Sequence, residues 1–417
     1  MEQRTAGRPM GHLLAVLLCL APLLAGCAHE ETIRPPKPPA DNTNARAAAA
    51  TRTLDALASA VRSPRSGDPG RLAAPGGSGV VRGFVRNAHA LGVRDLSLRY
   101  VDGGIGAVTG AQERRFGGRA WVGAVEAGYR LSADPGSTHM EVAFTFVADH
   151  GRARILSVGG HGDRSALWMR GPVTLARHGH ATVIDAGRDA ARYGRLARHA
   201  VADVRRVLPD WHGRLVVEVP HSEHELDSLL QADSSTYQNI AAVTTSVDGT
   251  LVRGTPVHVF INPPVFGTLE PKGAQVVLSH EATHVATGAT FTHMPTWLLE
   301  GFADYVALDH AGVPVNVAAA QVLRRIRRHG PPHHLPTAKD LNPTAHGLGA
   351  TYEEAWLACR YLSRQYGEHA LVRFYRSVSG GTSLARALEA LGTSTGRFTR
   401  SWTHHLVGLA RSAGPRR

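Results

Sequence analysis

The chain has 417 residues, a formal net charge of +12 at pH 7 and a sequence pI near 10.2. The positive charge comes from scattered arginines that resemble no nucleic-acid-binding module, so nucleic acid is excluded as an expected partner. The densest basic run, residues 324–329, is interpreted as a solvated helix face; contact with anionic lipid or cell-wall polymer is the alternative.

The N-terminus is typical of an export signal. A basic stretch precedes an apolar run over residues 13–24, which is too short to span a bilayer as a helix but suits the core of a signal peptide. The run ends in Leu24-Ala25-Gly26-Cys27, which resembles the bacterial lipobox. This resemblance implies that the signal peptide 1–26 is removed and that Cys27 carries lipid. The protein would then lie on the extracytoplasmic face of the cell membrane; an ordinary secretory signal is the alternative.

Cysteine usage agrees with this interpretation. Cys19 would leave with the signal peptide and Cys27 would be acylated, which leaves Cys359 alone in the mature chain. An intramolecular disulfide is therefore not expected, and the fold must be held by burial of apolar side chains. The length of the chain favours two or three domains.

Residues 27–48 are predicted to form a linker, because proline and polar residues dominate them and no apolar period appears. A helix is predicted over residues 51–63, where four apolar residues recur at helical spacing. These residues are Leu54, Leu57, Ala58 and Val61.

A run of strands follows this helix. Residues 95–101 and 119–132 alternate between apolar and polar side chains, and residues 141–158 predict a hairpin with its turn at Asp149-His150-Gly151. A helix followed by antiparallel strands predicts an α+β domain, which is placed at residues 49–175. The order of these elements resembles the nuclear-transport-factor-2-like fold, a curved sheet wrapped by helices.

The second domain, residues 176–417, is predicted to be mostly helical with a small sheet, so that the whole chain is of the α+β class. A long helix is predicted at 188–208, short strands at 214–220 and 255–263, and almost only helices after Gly273. The boundary between the two domains is placed between residues 170 and 187.

The stretch LSHEATHVATG contains two histidines four residues apart, His280 and His284, with Glu281 beside the first. Because a helix turns about 100° per residue, both rings can reach one metal ion from the same face. Two imidazoles with an adjacent carboxylate are the arrangement of hydrolytic zinc sites. Apolar neighbours such as Val276 and Val285 indicate a buried helix; surface or core histidines without a metal are the alternative.

A second motif, WLLEGFADY, places Glu300 sixteen residues after His284. Together the two motifs resemble the gluzincins, zinc metallopeptidases of the thermolysin and aminopeptidase type, and gluzincin-like bacterial lipoproteins in particular. The resemblance covers roughly residue 185 to the C-terminus. It implies that His280, His284 and Glu300 bind one Zn²⁺ ion and leave its fourth position to water.

The same resemblance implies roles for the other residues of the site. Glu281 would be the general base that takes a proton from the zinc-activated water. Asp304 would accept the outer ring proton of the first histidine and so orient that ring. Tyr352, at the start of a later helix, would donate a hydrogen bond to the developing oxyanion, with His346 as the second candidate.

The sequence therefore predicts a membrane-anchored, extracytoplasmic zinc metallopeptidase that acts on peptide or protein substrates. A closed structural zinc site with a fourth protein ligand, such as His293 or His346, is the alternative for the metal. For the function, the alternatives are a ligand-binding lipoprotein and a cell-wall adaptor with a vestigial zinc site. Glu281 argues against a vestigial zinc site, because metal binding alone does not need it.

Overall fold

The computed structural model describes residues 42–63, 67–101, 106–187, 189–234, 236–309, 311–342 and 346–413. The described residues from Thr43 onward form one compact unit. The predicted signal peptide, Cys27 and residues 27–41 of the predicted linker lie outside the described residues. Within the described part of the chain, no helix is long and apolar enough to span a membrane.

The first part of the fold contains α1 (Asn42–Arg62), α2 (Ser78–Leu91), β1 (Arg94–Val101), α3 (Gly110–Phe116), β2 (Ala120–Arg130), β3 (Thr138–Asp149), β4 (Arg152–Val158) and α4 (Leu167–Arg170). It is followed by β5 (Thr174–His178), β6 (Ala181–Asp185), α5 (Ala190–Val207), β7 (Leu215–Val219), α6 (Glu223–Leu230), β8 (Ala242–Ser246), β9 (Val257–Ile261), α7 (Pro263–Phe266) and α8 (Pro271–Thr287). The last part contains α9 (Thr296–Leu308), α10 (Val315–Ala318), α11 (Ala320–His329), α12 (Leu348–Tyr366), α13 (Glu368–Ser379), α14 (Leu384–Glu389) and α15 (Thr395–Ser412).

The architecture is α+β, as predicted: an antiparallel sheet lies in the N-terminal part, and a mostly helical C-terminal part carries a small sheet. The predicted domain limits, 49–175 and 176–417, stay predictions. Helix α1 begins at Asn42, inside the predicted linker, because residues 44–50 are NARAAAA and alanine has the highest helix propensity.

The N-terminal sheet has the antiparallel order β1-β2-β3-β4. The predicted hairpin turn is confirmed, since β3 ends at Asp149, β4 begins at Arg152, and His150 and Gly151 both have positive φ angles. Helices α1 and α2 cover one face of this sheet. The buried side chains between the layers include Leu54, Leu57, Phe84, Val142 and Phe144.

Helix α2 is a part of this layer that the sequence patterns did not predict. It lies between two glycines, Gly77 before it and the left-handed Gly92 after it. Gly83 lies where the helix crosses the chain after α4, since a Cβ there would be 2.8 Å from backbone atoms of Gly171 and Pro172. The glycines that obscured the helix in the sequence therefore have structural roles. Gly77 and Gly92 mark its two ends, and Gly83 lets it pack closely.

The second sheet has the order β5-β6-β7-β9-β8. Its central strands β6, β7 and β9 are parallel, and the two edge strands β5 and β8 are antiparallel to their neighbours. The predicted strands β7 and β9 are therefore present, whereas β5, β6 and β8 were not predicted as strands. Strand β8 forms the edge of the sheet nearest to α8.

A group of three ionisable residues, here called the buried charge triad, joins the two sheets. His258 of β9 lies with Nδ1 2.7 Å from Oε1 of Glu218 in β7. Its Nε2 lies 2.9 Å from Oδ1 of Asp134, in the turn between β2 and β3. All three side chains are at most 3% exposed.

Helices α8, α9 and α12 pack together beside the second sheet. Helix α8 spans Pro271–Thr287 and is capped by Gly288, which has a left-handed φ of 62°. Helix α9 contacts α12 very closely at Gly301, where a Cβ atom would lie only 2.2 Å from the carbonyl oxygen of Ala355. Only glycine permits this approach, and it fixes the position of the neighbouring Glu300.

Candidate metal centre

The three predicted metal ligands converge on one point between two helices. His280 and His284 lie one turn apart on α8, and Glu300 projects from α9. The Nε2 atoms of the two histidines are 2.9 Å apart, and they lie 3.1 and 3.4 Å from Oε2 of Glu300. Among the described residues, this is the one group of three or more His, Cys, Asp or Glu side chains with the geometry to hold a metal ion.

The size of this triangle suits zinc. Tetrahedral zinc with bonds of about 2.0–2.1 Å separates its ligand atoms by about 3.3 Å. The three observed separations, 2.9 to 3.4 Å, are close to that length. Two imidazole nitrogens and one carboxylate oxygen are also the donor set of catalytic zinc sites, which keep a fourth position open. The residues present therefore fit a zinc ion.

Asp304 orients the first histidine. It lies one helical turn after Glu300, and its Oδ1 is 2.8 Å from Nδ1 of His280. With Nδ1 facing Asp304, Nε2 is the ring nitrogen that faces Glu300 and that a metal would bind in place of a proton. Burial opposes protonation of His280, yet Asp304 and Glu300 raise the pKa of its ring well above the ordinary value.

Glu300 is held in its charged form. Burial alone would raise its pKa, but the neighbouring His284 and His280 lower the pKa of this carboxyl well below its usual range. A carboxylate that stays ionised is the form that binds a metal cation. Nδ1 of His284 is buried and has no hydrogen-bond partner among the described residues, so the position of this ring depends on packing and on its Nε2 contacts.

Glu281 lies beside the metal ligands and is held from the other side by strand β8. The hydroxyl of Thr244 donates to Oε2 of Glu281 at 2.6 Å. The same hydroxyl lies 3.1 Å from the backbone carbonyl oxygen of Glu281. Burial raises the pKa of the Glu281 carboxyl, although His280 and His284 partly oppose this. Thr244 is a site residue that the sequence patterns missed.

A cleft of about 570 Å³ gives access to this group. On one side it is lined by residues 239–244, which lead into and include the first part of β8. The ligands and Glu281 form its floor, and apolar side chains of α8, α9 and α12 form much of the remaining wall. These apolar residues are Val276, Val277, Leu299 and Leu348.

Tyr352, the fifth residue of α12, lines the same cleft. Its ring centroid lies 6.4 Å from that of His280. Burial, together with the charges of Glu300 and Asp304, raises the pKa of Tyr352 far above its ordinary value. The phenol therefore keeps its proton and is available as a hydrogen-bond donor in the cleft.

The other residues considered from the sequence lie elsewhere. His293 is exposed, and His346 lines a different cavity with Arg325 and Glu354. Neither belongs to the group that could hold a metal. Cys359 is a buried free thiol next to Gly301, and burial raises its pKa well above the ordinary value, so it stays neutral.

Two later tyrosines of α12 lie away from the cleft. Tyr361 packs against Phe398 and His405. Tyr366 is 37% exposed at the end of α12. Among the tyrosines of this helix, Tyr352 is thus the one in position to reach a molecule bound in the cleft.

Comparison with known proteins gives little beyond this geometry. No protein-family model and no curated protein matches the chain. One solved structure that it resembles is a variant of a two-domain M1 zinc metallopeptidase bound to L-tryptophan, with 18% sequence identity and a TM-score of 0.31. The similarity covers 68% of this chain and 61% of that protein. A likeness this weak carries no argument about function, which rests on the site itself.

Proposed function

We propose that this protein is a zinc metallopeptidase of the gluzincin type, anchored by lipid to the outer face of the cell membrane. The observation that carries the proposal is the convergence of His280, His284 and Glu300 beside the carboxylate of Glu281, on the floor of a cleft. Hydrolysis is the reaction class that fits, because the cleft offers a metal site and a base but no activated serine or cysteine nucleophile among its described lining residues.

The protein residues have separate tasks in this reaction. A zinc ion held by the three ligands supplies the Lewis acidity that polarises a carbonyl group and lowers the pKa of water. Glu281 accepts a proton from the attacking water while the water oxygen bonds to the carbonyl carbon. The same proton then passes to the amide nitrogen as the carbon–nitrogen bond breaks. Thr244 holds the Glu281 carboxyl in place through its hydroxyl.

Tyr352 has the role of stabilising negative charge on the substrate. As the water attacks, the carbonyl oxygen of the peptide becomes an oxyanion. A protonated phenol in the wall of the cleft can donate a hydrogen bond to this oxygen, and such donors are worth most where water is excluded. The raised pKa of Tyr352 agrees with this role, because the donor must keep its proton.

The cleft supports a peptide as the substrate. Strand β8 is the edge of its sheet and forms one side of the cleft. An extended peptide can add to such an edge by main-chain hydrogen bonds, which do not depend on its sequence. The apolar side chains on the opposite side of the cleft would then contact the side chains of the bound peptide.

The anchor is tested separately from the catalytic site. Cys27→Ala should release the protein from the membrane or leave its signal peptide uncleaved, because the lipid would have no attachment point. Membrane fractionation and the mass of the mature chain check this. Normal processing with unchanged membrane retention would contradict the lipid anchor but not the peptidase.

Glu281→Gln tests the enzyme most sharply. Glutamine keeps the size of the side chain but cannot accept a proton, so the rate should fall by about 10²–10⁴-fold while zinc stays bound. Parent and variant are assayed side by side on a peptide library, with zinc measured in both. A parent that binds zinc yet cleaves nothing would favour a binding lipoprotein. An equally active, zinc-replete variant would remove Glu281 from the mechanism.

A further inference from the structure

A second cavity, far from the metal ligands in sequence, lies beside β4, the last strand of the N-terminal sheet. It has a volume of about 350 Å³ and lies between α1, β4 and the short 3-10 helix Pro69–Leu72. Four of its eight lining residues are arginines, and they come from all three of these elements. The four are Arg52, Arg71, Arg152 and Arg154. We call this cavity the arginine pocket.

The fold brings these arginines together by regular geometry. Arg152 and Arg154 alternate with Ala153 along β4, so both project from the same face of the strand. Arg52 lies on α1, directly before Thr53. The hydroxyl of Thr53 donates to the carbonyl oxygen of Ala153 at 2.7 Å and fixes the helix against the strand.

The guanidinium groups are positioned by the backbone more than by acids. Arg154 donates to the carbonyl oxygen of Arg71, and its Nε lies 3.1 Å from Oδ2 of Asp149. Arg52 reaches the carbonyl oxygen of Gly151 at 3.4 Å. Carbonyl contacts orient the N–H groups of these side chains without neutralising their positive charge.

The charge around the pocket is unbalanced. The cavity is lined by four guanidinium groups and by no described carboxylate. Asp149 forms an ion pair with Arg154, and Asp68, whose carboxyl is bound by Arg82, also interacts electrostatically with Arg71. Like charges that converge in a concave site repel one another, and an anion placed among them removes this repulsion and gains charge-assisted hydrogen bonds.

We propose that the arginine pocket binds a phosphate group. Several guanidinium groups that converge from different elements suit the tetrahedral oxygens of phosphate, which accept paired N–H bonds from arginine. The phosphate can belong to a free phosphate ion or to the headgroup of an anionic phospholipid, and both present the same oxygens. Helix α1 begins only fifteen residues after Cys27, so the membrane surface is within reach of this site if that cysteine carries lipid.

The test compares the full-length parent with two full-length variants, all in nonionic detergent. Each variant lacks one positive charge, so the two variants have the same net charge. Arg52→Gln removes a guanidinium group that lines the pocket. Arg86→Gln removes an exposed arginine of α2 that does not line it. Calorimetric titration with inorganic phosphate should show saturable binding to the parent and to Arg86→Gln, and binding roughly tenfold or more weaker to Arg52→Gln.

A second titration identifies the source of the phosphate. Soluble dihexanoyl phosphatidylglycerol is compared with dihexanoyl phosphatidylcholine, whose headgroup carries no net charge. Tighter binding of phosphatidylglycerol than of inorganic phosphate, lost in Arg52→Gln, assigns the pocket to a lipid headgroup. Binding of inorganic phosphate alone assigns it to a free phosphate ion. Equal affinity of all three proteins for phosphate, or no binding to the folded parent, would overturn the proposal.

Discussion

Two histidines of this protein each lie between two carboxylates, yet their surroundings differ. His280 faces Glu300 with one ring nitrogen and Asp304 with the other. His258 faces Asp134 and Glu218 in the same way. The group around His280 also contains His284 and Glu281, and it borders a cleft. The buried charge triad is almost inaccessible to solvent.

The difference indicates what such a group needs in order to hold a metal ion. In the buried charge triad, a proton on His258 is the cation that the two carboxylates require, and burial leaves no open direction for a ligand. At His280 the second imidazole supplies another metal-binding nitrogen, and the cleft supplies room for water and substrate. The same pair of contacts therefore belongs to a buried ion cluster in one place and to a candidate metal centre in the other.

The largest expected effects come from replacing each histidine. Replacing His258 should mainly lower stability, whereas replacing His280 should mainly abolish zinc binding. His258→Leu leaves two carboxylates buried without a cation, and breaking such a group costs about 3–5 kcal/mol of unfolding free energy. His280→Leu should cost less stability, because its site borders the cleft, but should abolish tight zinc binding. Denaturant unfolding and zinc content check both variants.

If His258→Leu does not fold, His258→Gln provides the second measurement. Glutamine can still bond one of the two carboxylates, so it should fold with reduced stability and retain zinc. Equal losses of unfolding free energy at the two histidine positions would contradict the claim that His258 contributes more to stability than His280.

Asp304→Asn is expected to have the next largest effect. The amide cannot hold the Nδ1 proton of His280 as a carboxylate does, so zinc affinity should fall by about 10–100-fold with the fold intact. Asp134→Asn is the matched control in the buried charge triad and should leave zinc affinity unchanged. Competition with a zinc-binding dye measures both. Similar zinc affinities in Asp304→Asn and the parent would mean that Asp304 does not orient the ligand.

The smallest expected effect, counted per pH unit, is the dependence of the unfolding free energy on pH. Burial alone would lower the pKa of His258, but Asp134 and Glu218 raise it to about 10, above the ordinary value near 6.5. The folded state therefore holds the proton more tightly than the unfolded state. This stabilisation is complete below about pH 6.5 and is lost as the pH rises toward 10, at up to about 1.4 kcal/mol per pH unit.

The measurement is the difference in unfolding free energy between the parent and His258→Gln. This difference should shrink steadily between about pH 7 and pH 9, because only the parent has the titrating ring. A difference that stays constant over this range would show that His258 is not protonated in the folded protein.

Much of the metal centre could be predicted from the sequence because helical geometry is local. Two histidines four residues apart on one helix must share a face, whatever the rest of the fold. Asp304 follows Glu300 by the same spacing, and the structure places both against His280. The resemblance to gluzincins supplied the pairing of the two helices, which spacing alone does not give.

The missed features depend on contacts between distant segments. Thr244 reaches Glu281 across 37 residues, and nothing in its short strand indicates which helix it faces. The buried charge triad unites three residues from separate elements, each unremarkable in its own stretch. Helix α2 was hidden by glycines that only the folded packing explains. Such contacts are set by tertiary packing, which no local period encodes.

The zinc content of the purified parent and of Glu300→Ala tests the central claim most directly, with Glu218→Gln as the control at the other histidine. The parent and the control should each bind one zinc ion per chain. Glu300→Ala should bind zinc more than about 100-fold less tightly, because loss of a ligand costs more than loss of the group that orients one. Unfolding curves show that all three proteins are folded. A folded parent without zinc after dialysis against the metal, or a Glu300→Ala variant with the parent's affinity, would contradict the account.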